Sequence, residues 1–250
     1  MFRTRFKREI LAEFLPPARP RKTDRAIILC DGMPSVPRKQ LLAKWLAQKG
    51  YWVFYPRYRG AWESGGEFMA RSPHEDILDV IDGLSKPMTE LAFGKKFEVS
   101  PEEIFVIGGS FGGAAAILSS VDVRVTKVVA NCPVVDWAIL QDEEQTETSN
   151  PSYAAYIREA FGNGYRLPAR NWKKLHSGKF FNPAHHADEI DPGKVLIFQA
   201  KDDPHVPWRS VHKFARKTGV KLRLYPRGGH MKTEYVVQKH WREIERFFRT

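Results

Sequence analysis

Gly108-Gly109-Ser110-Phe111-Gly112-Gly113 follows directly on the apolar run Ile104-Phe105-Val106-Ile107 and leads directly into Ala114-Ala115-Ala116-Ile117-Leu118. A buried strand, a sharp glycine-bounded turn and a helix form the setting in which a serine hydroxyl is presented for nucleophilic attack. The reason is steric. A serine held on a strained turn with its hydroxyl outward needs neighbours without side chains two residues away on either side, and Gly108 and Gly112 fill those places. The helix that follows begins with free backbone N–H groups, and that of Phe111 points at any negative charge forming beside Ser110. The same residues also fit a plain strand-to-helix turn whose serine only caps the helix.

Two further segments supply partners in chain order. Val195-Leu196-Ile197-Phe198 reads as a buried strand running into Gln199-Ala200-Lys201-Asp202-Asp203-Pro204-His205-Val206-Pro207, which puts a carboxylate at the C-terminal end of a parallel strand. Strand alternation would point Asp202 and Asp203 in different directions. Asp136, beyond the strand Val128 to Asn131, is a further carboxylate near a strand end. Lys221-Leu222-Arg223-Leu224-Tyr225 alternates as a strand, and the glycine-rich Pro226-Arg227-Gly228-Gly229-His230 follows it, making His230 the candidate base.

The rest of the chain alternates strand and helix. Strands are expected near Ala26 to Cys30, Tyr51 to Tyr55, Ile104 to Gly108, Val128 to Asn131, Val195 to Ala200 and Lys221 to Tyr225. Helices are expected near Pro37 to Lys49, His74 to Ser85, Phe111 to Ser119, Arg209 to Thr218 and Thr233 to Phe248. This order builds a mostly parallel sheet covered by helices on both faces. Upstream, Phe2, Phe6, Ile10, Ala12 and Phe14 alternate with charged residues, which predicts edge strands with one face on the core. The stretch from Val135 to Val195 is too long for a simple crossover and carries Trp137, Tyr153, Tyr156, Phe161, Tyr165 and Trp172. A lid insertion over residues 137–190 is expected.

A chain of 250 residues with 42% hydrophobic and 12% aromatic residues can form one α/β domain with a substantial core. No apolar run is long enough to cross a bilayer, and no signal-peptide pattern opens the chain. Cys30 and Cys132 end strand-like runs, so two buried free thiols and a cytoplasmic location are expected. The formal net charge of +11 invites a nucleic-acid or membrane reading. Arg3, Arg5, Lys7, Arg8, Arg19, Arg21, Lys22 and Arg25 concentrate it upstream of the first core strand without any nucleic-acid motif. A solvated outer face, with neither nucleic acid nor membrane as partner, is the expectation. The adjacent His185 and His186 face different ways and complete no metal site, so neither metal nor cofactor is expected.

With these motifs in order, the chain resembles an α/β-hydrolase, and within that superfamily the catalytic domain of prolyl-oligopeptidase-type enzymes and related small esterases. The resemblance rests on Gly108 to Gly113, on Asp203-Pro204-His205-Val206-Pro207 (the family's Asp-x-x-Val-Pro), on Gly229-His230, and on Tyr58-Arg59-Gly60. It spans nearly the whole chain from about residue 27, and it implies a helical insertion before the acid-bearing strand. It implies a serine hydrolase with Ser110 as nucleophile, His230 as base and Asp203 as acid. The second oxyanion N–H would come from Met33, after Gly32, where the family usually has His-Gly and this chain has Asp31-Gly32. A carboxylate there costs about 2 to 3 kcal/mol against a developing oxyanion unless neutralised, and Arg57 or Arg59 is the expected partner. The family's peptidases carry a large propeller for which this chain has no room, which favours a small-molecule ester or lactone substrate over a peptide. Trp62, Trp137 and Trp208 are candidates for an apolar pocket. A small peptidase, with Glu63 anchoring a peptide terminus, and a non-catalytic basic binding protein on the same fold remain the alternatives.

Overall fold

Alternation of side chains carries the central sheet. In β3 (Asp24–Cys30), Ala26, Ile28 and Cys30 enter one apolar core while Ile27 and Leu29 enter the other. β4 (Trp52–Pro56) and β7 (Pro101–Gly109) divide likewise: Phe54 and Val106 lie on the first side, Tyr55 and Phe105 on the second. Strands buried on both faces read as near-continuous apolar runs, as these do. The computed structural model describes residues 1–19, 23–137 and 153–250.

β1 (Phe2–Phe6) and β2 (Ile10–Leu15) form the expected N-terminal hairpin. β8 (Val125–Asn131), β9 (Val195–Ala200) and β10 (Lys221–Tyr225) complete a sheet in the order β1-β2-β4-β3-β7-β8-β9-β10, while β5 (Met88–Thr89) and β6 (Lys96–Phe97) form a separate small hairpin. In the large sheet β1 and β2 pair antiparallel with their neighbours and the other strands pair parallel. This is the α/β-hydrolase arrangement. The register sets Cys30 beside Gly108 and Gly109 beside Asn131, so the loops after β3, β7 and β8 leave the sheet at one edge.

α1 (Gln40–Gln48) covers the second face together with α6 (Thr233–Lys239) and α7 (Trp241–Phe248). α2 (Pro73–Leu84), α3 (Phe111–Ser119) and α5 (Trp208–Thr218) cover the first, and α4 (Tyr153–Phe161) follows β8 in the long connection. The helix expected over Thr233 to Phe248 is two helices. His240 leaves helical geometry at φ −104° and ψ 18°, and its carbonyl accepts the N–H groups of Glu243 and Ile244 to start the next helix. The break lets Val236 and Val237 of α6 and Trp241 and Ile244 of α7 all reach the same core.

Part of the basic N-terminus is ion-paired: Arg3 meets Glu63, Lys7 meets Asp79 and Asp82, and Arg25 meets Glu103. Cys30 and Cys132 are buried and free. No helix among the described residues is long and apolar enough to cross a membrane.

His74, in the first turn of α2, gives a pH dependence to stability. Burial pulls its ring down to about 4, while Glu75 pulls up and His186 and Arg71 push further down. The folded value lies below the unfolded value of about 6.5, so the neutral ring's contribution is intact above pH 6.5 and is lost as pH falls toward 4. His74→Gln is expected to remove up to about 3 kcal/mol of that acid loss, read as a smaller Tm difference between pH 7 and pH 4.5. An unchanged difference would place the sensitive group elsewhere.

Candidate active site

The elbow is built by close approaches. Ser110 takes φ 55° and ψ −122°, a conformation that strains any residue with a Cβ. Its N–H donates to Asn131 O at 2.9 Å, and its carbonyl accepts the N–H of Val134 at 3.2 Å, pinning the turn to the end of β8. A Cβ at Gly108 would lie 2.0 Å from Gly112 O, and one at Gly112 would lie 2.4 Å from Asp31 O, so neither position admits a side chain. The Ser110 side chain makes no capping hydrogen bond to α3. Helix capping is therefore not its role, and it faces a cleft of about 610 Å³.

His230 lines the same cleft. Its Nδ1 lies 2.9 Å from Asp203 Oδ2 and 3.1 Å from Oδ1. The Asp203 carboxylate is fixed from several sides: Oδ1 accepts the backbone N–H of His205 at 2.9 Å and of Val206 at 3.0 Å, and Gln199 Nε2 reaches Oδ2 at 3.3 Å. Burial pushes the Asp203 carboxyl up, but the hydrogen bond and charge of His230 and the two N–H groups outweigh it and hold it below the ordinary value. Asp202 points elsewhere and accepts Gly229 N–H at 2.8 Å, which shapes the turn before His230. Asp136 accepts from Asn182 Nδ2 at 3.1 Å. β9 and β10 pair with Ala200 opposite Tyr225, so the loops carrying Asp203 and His230 leave the sheet side by side.

A serine on a strained elbow and a carboxylate-held histidine therefore open onto one cleft at the C-terminal edge of a parallel sheet. Residues 38–250 match the model of the prolyl oligopeptidase family. The chain belongs to that family. It is a serine hydrolase with the family's α/β-hydrolase fold. No curated protein matches it in sequence. Among solved structures it is similar to a Pyrococcus furiosus esterase, with a TM-score of 0.68 and 18% identity over 99% of this chain and 88% of that one. A thermophilic esterase of Thermogutta terrifontis, with butyrate bound, matches at TM-score 0.63 and 17% identity over 98% and 92%. The acylaminoacyl peptidase of Pyrococcus horikoshii matches at TM-score 0.70 and 16% identity, over 99% of this chain but 40% of the peptidase.

In this family member the loop after β3 lies against the elbow, since a Cβ at Gly32 would sit 3.6 Å from Ser110 Cβ. Among the described residues, no acceptor takes the N–H of Phe111 or of Met33, and Met33 and Ser110 both line the cleft. The expected partner of Asp31 has to be corrected. Arg57 turns to Glu13 at 2.6 Å, and Arg59 holds Glu9, Asp76 and Asp79. Asp31 is met instead by Lys39 Nζ at 2.8 Å and by the Tyr55 hydroxyl. Lys39 also reaches Glu234 at 3.5 Å. Burial draws its ammonium down, but the carboxylates of Asp31 and Glu234 outweigh that and hold it above the ordinary lysine value. The cation thus ties the loop carrying Met33 to the helix that follows the His230 loop.

Lys39→Met is expected to lower Tm by an amount equivalent to about 3 kcal/mol or more, because it strands the Asp31 carboxylate where both side chains are only 11% exposed. It should lower kcat as well by leaving charge beside Ser110 and the free N–H groups of Phe111 and Met33. Adding Asp31→Asn should restore part of both losses, and strictly additive losses in the double variant would remove the coupling.

Sequence reading missed Lys39, although it sits in the same loop as Asp31. It also missed Asn131, whose Nδ2 donates to Met231 O at 2.5 Å and anchors the histidine loop, and Gln199 beneath the acid. The Tyr58-Arg59-Gly60 segment is a buttress. Tyr58 donates to Asp31 O at 3.2 Å, and Gly60, at φ 72°, passes so close to Phe68 that a Cβ would lie 1.8 Å from its nitrogen. None of the three tryptophans is among the described residues lining the cleft. Trp137 is core, donating to Phe181 O at 2.8 Å beneath Phe111. Trp62 packs edge-on against Tyr165 and donates to Ser35 O, and Trp208, at the start of α5, has the cations of Lys201 and Arg209 against its ring. Glu63 is engaged by Arg3 and Arg57 outside the cleft. Of the insertion expected over 137–190, residues 138–152 lie outside the described residues. The remainder is latched down: Tyr165 OH bonds Ser35, Arg166 spans Trp62 and Ser64, and Lys174 donates to Met69 O and Ala70 O.

Proposed function

We propose that this family member is a small-molecule carboxylesterase or lactonase working through Ser110, His230 and Asp203. The observation that carries the reading is His230 held at Nδ1 by Asp203 while it shares a cleft with a Ser110 side chain that makes no capping hydrogen bond. An Nδ1–H donated to the carboxylate leaves Nε2 as the acceptor for the serine proton. Ser110 Oγ attacks the ester carbonyl as its proton passes to Nε2, and the oxyanion is held by the N–H groups of Phe111 and Met33. The C–O bond to the alcohol breaks as His230 returns the proton to it. Water then attacks the acyl-enzyme by the same route and releases the acid.

An ester is preferred over a peptide because the carboxylates of the described cleft are already engaged: Asp31 and Glu234 both meet Lys39. An aminopeptidase needs an unengaged acid to hold a terminal ammonium. The esterase structures are covered over 88% and 92% of their length, which also supports this reading. We read residues 1–250 as one hydrolase domain with an insertion over 137–190, of whose described residues Tyr153 lines the cleft. The two buried thiols support a cytoplasmic setting. Turnover of 4-nitrophenyl butyrate against an aminoacyl-4-nitroanilide tests the assignment. At least 100-fold higher kcat/KM for the ester, corrected for intrinsic reactivity, is expected, and a preference for the anilide would overturn it in favour of a peptidase.

A further inference from the structure

The cleft carries unbalanced charge. Asp31, Glu234, Arg38, Lys39 and Lys232 all line it. Lys39 lies between the two carboxylates, 2.8 Å from Asp31 and 3.5 Å from Glu234, and Asp31 also takes the Tyr55 hydroxyl, so this cluster is bonded internally and the lining as a whole is left one positive charge in excess. Arg38 and Lys232 are exposed and make no ion pair with any described residue. They approach from two different walls: Arg38 from the loop between β3 and α1, Lys232 from the turn between His230 and α6. Beside Arg38 the wall is apolar, with Val36 50% and Leu41 77% exposed. A surface that leaves large apolar side chains and uncompensated cations together along a reactive cleft suits an amphiphilic anion.

We infer that the substrate is an ester bearing a second, anionic group, a carboxylate or phosphate, held by Arg38 and Lys232, with its apolar part against Val36 and Leu41. This rests on the reading of Ser110 as nucleophile and specifies the substrate class of that site. Exposed pairs contribute a few-fold in affinity each, so two cations give on the order of tenfold. The net charge of +11 adds long-range attraction that salt screens.

The test compares 4-nitrophenyl hemiglutarate with 4-nitrophenyl pentanoate, each kcat/KM divided by its hydroxide-catalysed rate. The wild-type protein should favour the charged ester about tenfold at low salt. The preference should shrink in 0.5 M NaCl and fall to near unity in the Arg38→Ala/Lys232→Ala variant. Because the readout is a ratio of two substrates on one protein, a general loss of activity or stability cancels. Competition against the neutral ester by glutarate and by inorganic phosphate tells which anion is preferred. A wild-type ratio near unity, or a ratio unchanged in the double variant, overturns the proposal. Failure of the underlying reading looks different: neither ester would be turned over, or Ser110→Ala would keep the rate on both.

Discussion

Ser110→Ala is expected to reduce turnover of short-chain activated esters by on the order of 10⁴ to 10⁶ and to abolish covalent labelling by a fluorophosphonate, with the protein still folded. The size of the loss follows from interdependence: without an attacking oxygen, the histidine has no proton to accept and the oxyanion site no intermediate to hold. The fold should survive because the Ser110 side chain caps nothing, and alanine keeps a Cβ at the same φ of 55°, so the strain of the turn is unaltered. A Tm within about 2 °C of wild type, measured alongside the rate, separates lost chemistry from lost structure. Hydrolysis retained at more than a few per cent of the wild-type rate would take the nucleophile's role away from Ser110.

Asp203→Asn is expected to lower kcat by about 10⁴, while Asp202→Asn should cost less than about tenfold. Both replacements remove one charge from neighbouring positions in one loop, so the difference isolates geometry. An asparagine at 203 keeps its oxygen on the backbone N–H groups of His205 and Val206 and turns its NH2 donor to His230 Nδ1, which favours the tautomer with the proton on the wrong nitrogen and removes the charge that stabilises the imidazolium. At 202 the contact is with Gly229 N–H, and an asparagine oxygen accepts that bond as well as a carboxylate does. Stability adds a second readout. The Asp203 carboxyl is held below its ordinary value, so its contribution is present above the unfolded carboxylate range and is lost as pH falls through the lower folded value. Asp203→Asn should therefore flatten the stability curve below about pH 4. A reversed ranking of the two kcat losses would assign the acid to Asp202.

Much of the architecture was legible because local pattern and global fold agree. β9 and β10 lie where the apolar run Val195 to Phe198 and the alternation Lys221 to Tyr225 placed them, and α3 spans the expected Phe111 to Ser119. Hydrophobic period and glycine sterics are properties of a few consecutive residues, so the sequence states them directly. The break at His240 was not legible, since two helices sharing one core show the same apolar spacing as one long helix. Nor was the environment of the three tryptophans, because an aromatic side chain reads alike whether it lines a cleft or fills a core.

The charged positions mark the boundary most sharply. By itself the sequence determined the elbow, through Gly108 and Gly112 two residues either side of Ser110 between an apolar run and a helix former, and it determined the order in which Ser110, Asp203 and His230 leave the sheet. It also determined that Asp31 needs a cation. Which cation was a matter for the tertiary structure alone. Arg57, Arg59 and Lys39 are all near in sequence to the strands and loops concerned, but each long side chain goes where the surrounding elements leave a carboxylate within reach. Glu13 on β2 takes Arg57, Asp76 and Asp79 on α2 take Arg59, and Lys39 is left between Asp31 and Glu234. Charge attraction is long-ranged and unspecific, and it becomes a particular pair only when packing has fixed which oppositely charged groups share a low-dielectric space.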